Sequence, residues 1–68
     1  MSTKREEKSA FEKLKKSFPE HDVSLDYRHE SWTGEPYYKA YVSEGDPSFT
    51  QSSTAMEAVN LMIAARKQ

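Results

Sequence analysis

The sequence predicts an α+β domain in which a three-stranded antiparallel sheet carries an N-terminal and a C-terminal helix on one face, in the order αβββα. Three observations predict it. Apolar residues recur at helical spacing in residues 3–18 and again from residue 54 onward. The period drops to two in residues 23–29 and again in 37–42, and every Gly and Pro falls between these stretches. The chain is 68 residues long, which suits one domain over 1–68 and leaves no room for a cofactor domain beside a substrate domain.

Thr3 followed by Glu6 is a capping-box pattern, and Ala10, Phe11, Leu14 and Phe18 then form an apolar stripe. Pro19 disfavours helical geometry at Phe18, so the first helix ends near Ser17. Its lysines lie mostly off the stripe and Glu12 pairs with Lys16 at i, i+4, the pattern of a solvated face. Val23, Leu25, Tyr27 and His29 then alternate with Ser24, Asp26 and Arg28, which predicts a strand with the first set toward the core. Residues 30–36 lack alternation and read as a loop. Its Trp32 is expected to fold over a core edge, the alternative being an anchor for a partner.

In residues 37–42, burying Tyr38, Ala40 and Val42 sends Tyr37, Lys39 and Tyr41 outward. The opposite register would bury Lys39. Glu44, Gly45, Asp46 and Pro47 form a turn cluster, and residues 48–51 around Phe49 make a short third strand. Thr54 with Glu57 repeats the capping box, with Ser53 a rival cap. The helix that follows presents Ala55, Met56, Val59, Met62 and Ile63 on one face, with Glu57, Asn60 and Ala64 opposite and Leu61 near the edge. Arg66 and Lys67 in its last turn suit the negative end of the helix dipole.

The net charge of −1 conceals a gradient. Residues 1–18 carry six bases (Lys4, Arg5, Lys8, Lys13, Lys15 and Lys16) against three acids, whereas residues 19–57 carry Arg28 and Lys39 against eight acids. A nucleic-acid surface built in the middle of the chain would therefore repel phosphate. Cysteine is absent, which removes disulfides, thiolate metal sites and cysteine nucleophiles. The most apolar stretch, residues 58–65, is too short to span a membrane, and the Lys/Glu-rich start is unlike a secretory signal. A cytoplasmic protein is expected.

Catalytic constellations are missing from the pattern. His21 beside Asp22, and Asp26 near His29 and Glu30, are the only arrangements that suggest metal ligation or acid–base work, and adjacent residues on an extended chain point to opposite sides. Gly34 and Gly45 are turn glycines, not a phosphate loop. No enzyme activity and no cofactor are expected.

In length and element order the chain resembles the double-stranded-RNA-binding domain. That resemblance implies two helices on one face of a three-stranded sheet, and RNA contacts from the first helix, the first inter-strand loop and a lysine cluster opening the second helix. The basic first helix and a loop with His29, Trp32, Gly34 and Pro36 match. The opening of the second helix does not: Gln51, Ser52, Ser53, Thr54, Ala55, Met56 and Glu57 include no base, which removes a main source of duplex affinity.

The functional expectation is therefore a small non-enzymatic protein-binding module. It would be an accessory regulator or inhibitor of the kind common among phage and mobile-element products, acting through an acidic, tyrosine-bearing sheet face. Its candidate residues are Asp26, Arg28, Trp32, Tyr37, Lys39 and Tyr41, because tyrosine and tryptophan bury large area with few rotatable bonds. Two alternatives stand beside it. One is a nucleic-acid-binding domain using Lys4, Arg5, Lys8, Lys13, Lys15 and Lys16. The other is a homodimer formed through a sheet edge or the open face.

Overall fold

The computed structural model describes residues 3–66. Its elements are α1 (Lys4–Ser17), β1 (Val23–His29), β2 (Pro36–Val42), β3 (Phe49–Ser52) and α2 (Ala55–Arg66). The strands form one antiparallel sheet in the order β1-β2-β3, and both helices lie on the face that bears Tyr38, Ala40 and Val42. Lys67 lies outside the described residues.

The helix starts follow their caps. Thr3 is extended and its hydroxyl accepts from the Glu6 amide at 3.1 Å, while the Thr54 hydroxyl accepts from the Glu57 amide at 3.2 Å. Thr54, not Ser53, is thus the second cap. Glu57 does not reach back in box fashion: its carboxylate accepts from the Ser52 hydroxyl instead. At the far end of α1, Phe18 leaves helical geometry ahead of Pro19, while its amide still donates to the Leu14 carbonyl at 3.1 Å.

The core is built from α1 (Ala10, Leu14), β2 (Tyr38, Ala40, Val42) and α2 (Ala55, Ala58, Val59, Met62), with Phe18, Val23, Leu25, Met56 and Ile63 packed around it. Ala58 was not on the expected face of α2. It is buried because β3 crosses beneath the helix there, and the Thr50 hydroxyl donates to the Ala58 carbonyl at 2.6 Å. The small side chain lets helix and strand approach.

Strand β2 starts one residue earlier than expected, and β3 lies one residue later at both ends, Phe49–Ser52 in place of 48–51. Pro36 joins β2 because its partner is His29, and the flanking Glu30 amide to Glu35 carbonyl bond (3.0 Å) makes His29–Pro36 a position where no ladder amide is needed. Ser48 falls outside β3, which starts at Phe49, although its carbonyl still accepts from the Val42 amide at 2.9 Å in line with the ladder.

Arg66 does more than complement a dipole. Its guanidinium donates to the carbonyls of Val42 (2.8 Å), Pro47 (3.0 Å) and Glu44 (3.2 Å), and its Cζ lies 5.6 Å from the Phe18 ring centroid. One side chain at the end of α2 thereby satisfies the β2–β3 turn and ties it to the end of α1. Gly45 makes room for it: φ is +144°, and a Cβ there would stand 2.5 Å from Nη1 of Arg66. Arg66→Met is expected to cost about 1–3 kcal/mol, since three carbonyls lose a charged donor. Gly45→Ala should displace the same guanidinium, so chemical denaturation of both single variants and the double variant should show losses that do not add. Additive losses would mean that the turn holds without Arg66.

Candidate functional site

The sheet face turned away from the helices is organised by register into cross-strand rows. Ser24, Tyr41 and Phe49 form one, Asp26, Lys39 and Gln51 the next, and Arg28 with Tyr37 the last. Tyr41 and Phe49 are direct partners on β2 and β3, 38% and 45% exposed. The Lys39 ammonium sits 4.6 Å from the Phe49 ring centroid. Tyr37 and Lys39 are half-buried by these neighbours. The arrangement joins a flat aromatic surface to one carboxylate and two cations. It offers large contact area at low rotamer cost, with hydroxyl and charged groups at its margin for orientation.

Five of the six residues expected at a protein-binding surface, Asp26, Arg28, Tyr37, Lys39 and Tyr41, come together here. The expected acidity does not. The fold segregates the middle segment's charges: Arg28 and Lys39, both of its bases, share the face with Asp26 alone. Glu20, Asp22, Glu30, Glu35, Glu44 and Asp46 fall in the connections, and Glu57 on α2. Segment charge does not predict face charge, because alternation in strands sorts side chains by position.

Trp32 is corrected as well. It is 89% exposed at the tip of the β1–β2 loop and covers no part of the core. The loop closes on itself through Glu30 amide to Glu35 carbonyl (3.0 Å) and Gly34 amide to Glu30 carbonyl (2.9 Å), with Gly34 at φ +71°. The loop so closed holds the indole out at its tip. Phe49 is the face residue that sequence reasoning missed. A short strand around Phe49 is legible in residues 48–51, but the face that Phe49 takes depends on its pairing with Tyr41.

The six bases of α1 are all exposed, and at 100° per residue they spread around the helix. Lys4, Lys8 and Lys15 flank the β1 side, Arg5 and Lys16 lie at the back near Glu12, and Lys13 turns toward α2, where it donates to Asn60 Oδ1 at 2.7 Å. The two histidines have local roles. His21 Nδ1 is 2.8 Å from the Ser43 carbonyl, which requires the Nδ1–H form, and His29 lies edge-on to Tyr27. Among the described residues no three His, Cys, Asp or Glu side chains cluster to hold a metal ion, and no helix is long and apolar enough to cross a membrane.

No family model, curated protein or solved structure matches the chain. The likeness to the double-stranded-RNA-binding domain accordingly rests on architecture, the order and packing of two helices on a three-stranded sheet.

Proposed function

We propose that this chain is a non-enzymatic protein-binding module that docks a protein partner on its open sheet face, as an accessory regulator or inhibitor of the kind found among phage and mobile-element products. The observation that carries the reading is the exposed Tyr41–Phe49 pair with Lys39 against it, held on a sheet whose other face forms the core. A rigid aromatic centre with a polar margin is the usual make-up of an interface hot spot. The alternative nucleic-acid reading draws support from the basic first helix. The distribution of its bases around α1, and the Ser52–Glu57 contact where the related fold carries lysines, weigh against it.

The test uses a partner recovered by affinity capture from the native host, then purified and titrated. Tyr41→Ala and Phe49→Ala should each weaken binding by about 2 kcal/mol while leaving melting nearly unchanged. Unchanged affinity would reduce the pair to cross-strand packing, worth up to about 1 kcal/mol of stability. Duplex RNA or DNA should not bind at about 150 mM salt. Tight binding there, lost on changing Lys13, Lys15 and Lys16 to Glu, would favour the nucleic-acid reading instead.

A further inference from the structure

A second surface, independent of the open face, lies along the outer edge of the sheet. Among the described residues β1 pairs only with β2, and no strand lies along its other edge. The Ser43 amide to Asp22 carbonyl bond (2.8 Å) and the Glu30 amide to Glu35 carbonyl bond (3.0 Å) set the alternation of the ladder. Even-numbered residues of β1 face β2, and the amides and carbonyls of Val23, Leu25, Tyr27 and His29 point outward. Seven residues long and without Pro or Lys, this edge has two charged side chains, Asp26 and Arg28, and both stand on the open face, away from the helix-side groove.

The side chains of the same odd-numbered residues face the helix layer, where α1 leaves them incompletely covered; Tyr27 is 42% exposed. Two depressions follow α1 along β1. One, of about 380 Å³, lies among Lys4, Lys8, Phe11, Leu25 and Tyr27; the other, of about 450 Å³, among Phe11, Lys15, Phe18, His21 and Val23. Phe11, Leu25 and Tyr27 give the first its apolar surface, and Phe11, Phe18 and Val23 give the second, more polar one its apolar part. Their α1 rim carries Lys4, Lys8 and Lys15, with Lys15 lying 5.2 Å from the Phe11 ring centroid. The acids at hand are Glu7, whose carboxylate accepts from the Tyr38 hydroxyl at 2.5 Å, and Asp22 at the far end.

We propose that β1 and this groove bind an extended acidic peptide segment of a partner protein by strand addition. Its backbone pairs with the outward groups of Val23, Leu25, Tyr27 and His29. Apolar side chains on alternate residues enter the two depressions, and acidic side chains meet the lysine rim. The dimensions agree: Lys4 to Lys15 spans about 16 Å along a helix, the length of about five strand residues. A second copy of the chain fits worse. Antiparallel β1–β1 pairing about a two-fold axis keeps both helix layers on one side and sets two rows of Lys4, Lys8 and Lys15 against each other.

The experiment titrates the full chain into a fluorescein-labelled peptide of four Glu-Val repeats and, separately, four Lys-Val repeats, reading anisotropy and amide hydrogen exchange. The acidic peptide is expected to bind about tenfold more tightly or better, with new protection at the Val23, Leu25, Tyr27 and His29 amides. Lys4→Glu with Lys8→Glu, both on an exposed helix surface, should weaken it about tenfold, and Tyr41→Ala should leave it unchanged. Equal binding of the two peptides, or protection confined elsewhere, would overturn the proposal without touching the open-face reading. A concentration-dependent dimer with these amides protected before any peptide is added would overturn it in favour of a second copy.

Discussion

Tyr38→Ala is expected to lower the unfolding free energy by about 3–5 kcal/mol, the largest loss at any residue of the sheet. Tyr38 is 3% exposed in the central strand, packs 4.9 Å from the Tyr27 ring centroid and donates its hydroxyl to Glu7 on α1. Truncation therefore leaves a cavity between sheet and helix and cuts the bond that aligns them. Tyr38→Phe keeps the ring and should lose only about 0.5–1.5 kcal/mol, which isolates the hydroxyl's share. Tyr41, three residues along β2 and on its opposite face, serves as the control: its alanine variant should lose no more than about 1 kcal/mol. A denaturant series on the three variants reads the two faces of β2 directly. A severely unfolded Tyr41→Ala beside a native-like Tyr38→Ala would invert the strand.

Leu14→Ala is expected to cost about 2–5 kcal/mol. Leu14 is fully buried on α1 against α2, among the largest side chains with no exposure. A domain of this size has about 3–10 kcal/mol in total, so the variant should melt about 10 °C or more below the parent. Ile63 carries the same number of carbon atoms but is half-buried at the edge of the core, and Ile63→Ala should cost about half as much. Thermal melts by circular dichroism distinguish the two. Equal losses would mean that the α1–α2 contact is not the centre of the core.

The same comparison of buried and half-buried positions separates what could be read along the chain from what could not. Element type and order, the Thr3 and Thr54 caps, the stop at Pro19 and the inward set Tyr38, Ala40 and Val42 follow from local signals. Each is a statement about residues within one or two turns of one another, where periodicity and capping chemistry act. Tyr37, Lys39 and Tyr41 on the open face follow from that alternation as well.

Tertiary structure decided the rest, because each remaining feature depends on which distant segments meet. Phe49 joins Tyr41 only through the β2–β3 register, and Arg66 reaches the carbonyls of Val42, Glu44 and Pro47 only because α2 ends over the β2–β3 turn. Trp32 stands clear because its loop closes on itself. The face is of mixed charge rather than acidic because strand pairing gathered Asp26, Arg28 and Lys39 and left the other acids in connections and on α2. A periodic pattern states which side of an element is apolar; it does not state what lies across from it, and binding surfaces are made of what lies across.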